Sequence, residues 1–279
     1  MNTNALKDRL KIIAKEKNAT FNEVWKQLLL ERFLSRLSAS DYQKKFIFKG
    51  GLLLSQYLVI GRETTDADFL VTKLKTDAPA IEAAIQQILT SEVEDGFSFS
   101  WSGIEELNQP HMDYPGFRVT LNTAFEKMKD RIQLDIGVGD LVNAVEEDFR
   151  LFNYKGKPIF AGEISLLVYP VETIFAEKLE TIISKGAANS RMKDYHDVLL
   201  MIREKDLLNT EKLQASVTST FRHRGTPYNI PIEFDAAGMA TLQNLWASHR
   251  NGLSAFKDKL PDDISSVLTE VNSWLDSIK

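Results

Sequence analysis

The stretch Phe46-Ile47-Phe48-Lys49-Gly50-Gly51-Leu52-Leu53-Leu54-Ser55, followed by Gly61-Arg62-Glu63-Thr64-Thr65-Asp66-Ala67-Asp68-Phe69-Leu70-Val71, decides the fold. One apolar run ends at Lys49, and two glycines open a second run that closes at Ser55. Backbone free of side chains at a helix start lets a phosphate approach the amide groups. Asp66 and Asp68 then open another apolar run. On an extended strand, residues two apart point the same way and lie roughly 6 to 7 Å apart. Both carboxylates therefore face one site, as when a protein holds a divalent cation against a triphosphate. Two glycines alone are more often a tight turn or a close helix contact, and an Asp-x-Asp alone recurs by chance. Their combination in this order is what is specific.

Further along, Arg131-Ile132-Gln133-Leu134-Asp135-Ile136-Gly137-Val138 alternates as a strand, with Gln133, Asp135 and Gly137 on one face. A buried unpaired carboxylate is costly, so Asp135 is expected to be solvated, paired or on a metal. Its alternative is a strand-end aspartate capping a turn. After about residue 160 the pattern turns almost wholly helical. Pro170 starts a helix with Val171, Ile174, Phe175 and Leu179 on its apolar stripe, and Gly186 ends it. That helix carries Lys178, and a lone lysine on a helix is ordinarily solvated. Ser190-Arg191-Met192-Lys193-Asp194-Tyr195-His196-Asp197 opens the next helix, with Ser190 as the expected cap. Asp194 and Asp197, three apart, share a face. Capping and an ion pair with Arg191 or Lys193 is the plain reading of both.

Lys49-Gly50-Gly51 with Arg62-x-Thr64-Thr65-Asp66-x-Asp68 resembles the first motif of the AbiEii family, the nucleotidyltransferase-fold toxins of type IV toxin–antitoxin pairs, similar to MenT-type tRNA-modifying toxins. Leu134-Asp135-Ile136 is similar to the family's strand carrying a third carboxylate. The Lys178-Leu179 helix and Arg191-x-Lys193-Asp194-x-x-Asp197 are similar to its later motifs. The resemblance implies a metal-dependent nucleotidyltransferase toxin that moves NMP from an NTP to an RNA acceptor, such as a tRNA 3′ end, and so blocks translation. It implies Asp66, Asp68, Lys178 and Asp194 as catalytic residues. Lys49, Gly50, Gly51, Ser55 and Lys178 would hold the nucleotide, and Asp66, Asp68 and Asp135 would hold Mg²⁺ or Mn²⁺. A cognate antitoxin is an implied partner. A transferase acting on a small molecule or a protein, and a non-catalytic nucleotide-binding module, are the alternatives.

The whole chain bounds these expectations. Its 279 residues suffice for one large or two modest domains, and 43% apolar with 26% charged residues is ordinary for a soluble globular protein. Cysteine is absent, which excludes disulfides and thiolate metal sites and fits a reducing, cytoplasmic setting. The polar start carries no signal-peptide pattern, and no apolar run approaches a membrane span. The net charge of −5 weighs against a general nucleic-acid coat but leaves room for a local basic face.

The expected fold class is α/β: a nucleotidyltransferase-fold mixed sheet with flanking helices, plus a mainly helical C-terminal domain. Residues 1–165 would form the first domain, N-terminal helices included, and 166–279 the second. Within the first, a strand from Asp66 to Leu74, a helix from Pro79, strands at Phe97–Trp101 and Phe117–Leu121, and a Pro110–Gly116 loop are expected. Lys44, Lys45, Lys49, Lys185, Arg191, Lys193, Arg222 and Arg224 are candidates for a basic rim toward RNA. The last two belong to a basic turn, Phe221-Arg222-His223-Arg224-Gly225-Thr226-Pro227, for which a solvated loop and an RNA contact are equal readings.

Overall fold

Two capped helices open the chain. In α1 (Thr3–Glu16) the Asn2 side chain accepts from the Ala5 amide, and Leu6, Leu10, Ile13 and Ala14 recur at helical spacing on the buried face. α2 (Phe21–Ser38) starts in a reciprocal capping box between Thr20 and Glu23. The computed structural model describes residues 1–107, 116–139, 142–149 and 151–278, with the side chains at 254 and 255 left undescribed. The expected 110–116 loop therefore lies, up to residue 115, outside the described residues. Two compact units emerge: Met1–Gln56 with Glu63–Tyr169, and Tyr57–Arg62 with Pro170–Lys279.

The first unit is built on a mixed sheet. In chain order its elements are β1 (Phe46–Lys49), α3 (Gly50–Tyr57), β2 (Asp66–Val71), α4 (Ala78–Leu89), β3 (Phe97–Leu107), β4 (Gly116–Phe125), β5 (Met128–Val138) and β6 (Val145–Asp148). A small hairpin, β7 (Asn153–Tyr154) with β8 (Lys157–Pro158), precedes β9 (Ser165–Val168). Among the described residues the main sheet has seven strands in the order β3-β4-β5-β2-β1-β9-β6. β2 pairs parallel with β5, and β1 parallel with β9; β1–β2, β3–β4, β4–β5 and β6–β9 are antiparallel.

Alternation in β2 sends Ala67 and Phe69 into the core. Phe69 meets Phe33 of α2 at 6.0 Å between ring centroids, Phe46 at 5.9 Å and Phe48 at 5.5 Å. Burying each such ring stabilises by about 1.5–3 kcal/mol, so this cluster fixes which face of β2 is core and which is left for chemistry. A buried Arg36 fork onto Asp95, at 2.8 and 2.9 Å, ties α2 to the start of β3.

The second unit contains α5 (Val171–Lys185), α6 (Met192–Arg203), α7 (Thr210–Arg224), α8 (Ala236–Asn251) and α9 (Ile264–Ser277). Its core includes Phe175, Leu179, Val198, Leu199, Trp246 and Val271. The Trp246 indole N–H donates to the Pro261 carbonyl at 3.0 Å, so the ring is buried without an orphaned donor.

Three sequence expectations change. The strand at Asp66 stops at Val71, and Lys73 adopts a left-handed φ of +56° beyond it. The helical region does not start at about residue 160, because Ser165–Val168 forms β9 inside the main sheet. A four-residue apolar run has too little length for its period to show. Ser190 does not cap α6: Arg191 is the N-cap residue, and no side chain bonds there.

Candidate active site

In the first unit, strand register gathers the charged residues. Asp66 and Asp68 lie half-exposed on one face of β2, with Ala67 fully buried on the other. On parallel β5, Asp135 is the register partner of Asp68. On β4, Arg118 is the partner of Asp135; on β3, Glu105 is the partner of Arg118. On the other side of β2, Lys49 of β1 is the partner of Asp68. Neighbouring strands stand about 4.7–4.9 Å apart, so Glu105, Arg118, Asp135, Asp68 and Lys49 form one row across five strands. Charge alternates along this row except at its centre, where Asp135 and Asp68 are adjacent. Like charges directly opposite one another destabilise a sheet, and such a place attracts a cation.

Arg118 answers part of that charge. Its Nε donates to Asp135 Oδ1 and its Nη2 to Oδ2, both at 2.7 Å. The Asp135 hydrogen bonds, set against burial and helped by the charges of Asp135 and Asp66, hold the guanidinium above its already high pKa. Asp135 is thus a mid-strand ion-pair partner rather than a turn cap.

The glycine turn sits beside this row. β1 ends at Lys49, and α3 begins at Gly50, whose φ of +79° is left-handed and favours glycine. Lys49 reaches toward Tyr169, its Nζ 3.4 Å from the hydroxyl and 4.6 Å from the ring centroid. The Ser55 hydroxyl donates to the Leu52 carbonyl at 2.7 Å. Its single proton is committed there, so Ser55 would donate to a phosphate only by releasing that bond.

Among the described residues no three Asp, Glu or His side chains stand in a metal-holding group. Arg118 occupies both oxygens of Asp135, which accounts for the third carboxylate. Asp66 and Asp68 still fit Mg²⁺, which is usually held by one or two carboxylates with substrate phosphates and waters completing its octahedron.

The second unit carries the other predicted residues. Lys178 of α5 is 9% exposed, and its Nζ lies 2.7 Å from Asp197 Oδ2 and 3.2 Å from Asp194 Oδ1. Both aspartates are buried on one face of α6. Burial opposes the lysine's charge, but Asp197 and then Asp194 outweigh it and hold the ammonium above the ordinary lysine value. Arg62 forks onto Asp197, Nε to Oδ1 at 2.8 Å and Nη2 to Oδ2 at 2.6 Å. Burial disfavours the Asp197 carboxylate, yet Lys178 and Arg62 hold it far below the usual range. Arg191 Nε donates to Asp194 Oδ2 at 3.0 Å. Next to Asp197, His196 is fully buried, its Nδ1 2.9 Å from His249 Nε2.

Sequence reasoning missed Arg118 and the fork of Arg62. A signal existed for Arg118, which stands in the polar phase between Phe117 and Val119. The basic turn is not a turn: Phe221–Arg224 end α7, and Gly225 is its left-handed C-cap. Arg224 donates to Glu180 at 2.8 Å and Glu177 at 3.0 Å, which directs its charge inward to α5.

Residues 32–270 match the family model described as "Nucleotidyl transferase AbiEii toxin, Type IV TA system". The mixed α/β fold and this match define a nucleotidyltransferase. The chain belongs to the AbiEii toxin family, whose type IV systems pair such a toxin with an antitoxin. Among solved structures, JHP933 from Helicobacter pylori is similar at 13% identity and a TM-score of 0.51, over 93% of this chain and 92% of that one. A second H. pylori structure, named "putative nucleotidyltransferase", aligns at 13% identity and a TM-score of 0.48, over 90% and 92%. No curated protein matches the sequence. No helix among the described residues is long and apolar enough to cross a membrane.

Proposed function

We propose that this toxin transfers a nucleotidyl group from an NTP to an RNA end, such as a tRNA 3′ end, with a divalent cation at Asp66 and Asp68, and thereby stops translation. The observation that carries the reading is that Asp66 and Asp68 share the half-exposed face of β2, with Asp68 in the charged row and beside a glycine-opened helix. A bound Mg²⁺ or Mn²⁺ would lower the pKa of the attacking hydroxyl and offset charge on the pyrophosphate leaving group. Gly50 and Gly51 offer backbone amides to phosphate oxygens, and Lys49 adds a positive charge at the same strand end. Lys178 serves the phosphates as a fixed ammonium. Its charge is held by two carboxylates, so it neither gives nor takes a proton in the working pH range. Asp194 supports Lys178. With little covalent chemistry to perform, the chain contributes positioning and electrostatics.

The inward pairing of Arg224 favours a second reading, in which the acceptor is a small molecule or a protein. The test is incubation of the purified protein and Mg²⁺ with each of four labelled NTPs, with and without total tRNA. Label on tRNA, absent with Asp68→Ala, is the expected result. Label consumed equally without RNA would move the acceptor to the second reading, and unchanged labelling by Asp68→Ala would end the metal assignment.

A further inference from the structure

In the first unit the strands run unequal distances past the carboxylates. β2 begins at Asp66, whose register partner on β5 is Gln133, yet β5 itself starts earlier, at Met128. β4 and β3 pair alongside that earlier stretch as far as Phe125 and Phe97. A three-stranded projection therefore extends beyond Asp66 for roughly 17 Å, at about 3.4 Å per residue. Its two faces differ. Phe97, Phe125 and Ile132 are buried on one, and there Asp130 accepts from Lys26 of α2 at 2.6 Å. The other face carries the cross-strand rows Ser100, Asn122, Arg131 and Ser98, Ala124, Lys129. Both serines, Arg131 and Lys129 are exposed. Arg131 bonds Asn122 Oδ1 through Nε at 3.0 Å, and its two terminal nitrogens have no partner among the described residues.

Charge is segregated along this open face. Glu105, Asp135, Asp66 and Asp68 stand at one end, with Arg118 bonded to Asp135 among them. Arg131 and Lys129 stand toward the other end, about 14 and 20 Å along β5 from Asp135. Between the two groups, Thr120 and Gln133 are register partners and offer only neutral hydrogen-bonding atoms. We infer that this face of β3, β4 and β5 is the platform for the acceptor strand of an RNA: its terminal hydroxyl lies at Asp66 and Asp68, and its phosphates run back over Gln133 to Arg131 and Lys129. The inference rests on the reading of an RNA end as acceptor. A terminal hydroxyl carries no phosphate, so it can approach the carboxylates. Each earlier nucleotide brings a negative charge, which the cationic end of the face attracts. The free fork of Arg131 suits phosphate oxygens, and Thr120, Asn122 and Gln133 suit ribose 2′-hydroxyls, which both donate and accept. A small molecule held at Asp66 would not reach so far.

The test is equilibrium binding of fluorescently labelled total tRNA to the full chain at 50, 100 and 200 mM salt without NTP. It is run beside the KM for NTP in tRNA labelling. The variants are Arg131→Gln, Lys129→Gln, the two combined, and Lys157→Gln, whose lysine is exposed on the β7–β8 hairpin. All three side chains are exposed, so each variant should keep the wild-type urea midpoint. Arg131→Gln and Lys129→Gln should each reduce the slope of log affinity against log salt by about 0.7 to 0.9. The double variant should bind tRNA about tenfold more weakly or worse at 100 mM salt, with the KM for NTP unchanged. Lys157→Gln should behave as wild type. Wild-type affinity and slope in the double variant, with tRNA still labelled, would overturn the platform and leave the RNA-end reading standing. A wild-type chain that neither binds nor labels tRNA would overturn that reading and the platform with it. A loss in Lys157→Gln equal to that in Lys129→Gln would reveal diffuse attraction to any surface cation, and would overturn the platform as well.

Discussion

Gly50 and Asp68 are packed so closely that a Cβ on the glycine would stand 1.9 Å from Asp68 Oδ2 and 2.5 Å from its Cγ. Contact at that distance is far inside any van der Waals limit, and φ at Gly50 is +79° besides. The turn and the carboxylate therefore specify each other: the missing side chain gives Asp68 its room at the mouth of α3.

Gly50→Ala is accordingly expected to cost about 1–3 kcal/mol from backbone strain alone, read as a lower urea midpoint. It should also displace Asp68 and remove transfer even where the variant remains folded by circular dichroism. A wild-type midpoint together with wild-type transfer would show that the turn does not constrain the carboxylate.

Arg118 leads to a prediction on cation affinity. Its fork neutralises Asp135, the neighbour of Asp68, and so competes with any cation for the centre of the row. Arg118→Gln should raise Mn²⁺ affinity, measured by electron paramagnetic resonance without nucleotide. At an effective dielectric near 20 and partial exposure, the gain is on the order of tenfold. Stability should change by about 1 kcal/mol or less, because the guanidinium is 35% exposed. Weaker Mn²⁺ binding would instead make Arg118 a support that orients Asp135.

How much of this could be read from the chain follows from which distances are local. Asp66 and Asp68 were legible because two residues on one strand share a face, and buried Ala67 with Phe69 fixes that face as the solvated one. Parity likewise placed Asp135 on the polar side of its strand. Which residue would lie beside it was not legible, because strand order and register are long-range facts. Arg118 is seventeen positions from Asp135 in sequence and touches it only through the β4–β5 pairing. The strands Phe46–Lys49 and Ser165–Val168 are too short to display a period, yet they complete the sheet around β2. On α5, the apolar stripe of Ile174, Phe175 and Leu179 foretold a buried face. That Lys178 joins this face required partners from α6 and from Arg62, and nothing local to Lys178 names the latter.

Acid should weaken the fold in two stages. Burial pushes His196 down to about 3, and His249 is also lowered by burial. A histidine whose folded pKa lies below its unfolded value near 6.5 contributes stability above pH 6.5 that is lost as pH falls toward the folded value. Each such group contributes a slope of about 1.4 kcal/mol per pH unit in that window. Asp197, also depressed, contributes stability present above its unfolded pKa and lost only at lower pH still. Urea unfolding between pH 7.5 and 4.5 should therefore show stability falling below 6.5, with a shallower fall in His196→Gln. A level profile over that range would mean that His196 is protonated in the fold.

The acceptor is distinguished by salt. Of the eight basic residues first considered for an RNA-facing rim, Arg191 is bonded to Asp194, and Arg224 to Glu177 and Glu180. Lys49 stands over Tyr169, and Lys45 has its ammonium 4.5 Å from the Tyr42 ring centroid. A protein that neutralises phosphates releases condensed counterions, so the logarithm of its affinity falls linearly with the logarithm of salt concentration. Six phosphate contacts predict a loss of about a thousandfold between 50 and 200 mM salt. Binding of total tRNA, measured at both concentrations with NTP and Mg²⁺ held constant, is expected to fall at least tenfold, the loss that about two contacts produce. Lys185→Ala, Lys193→Ala and Arg222→Ala should each reduce the slope by about one if they contact phosphate. A flat response with all three side chains present would place the acceptor among small molecules or proteins, since neither offers a polyphosphate backbone to release counterions.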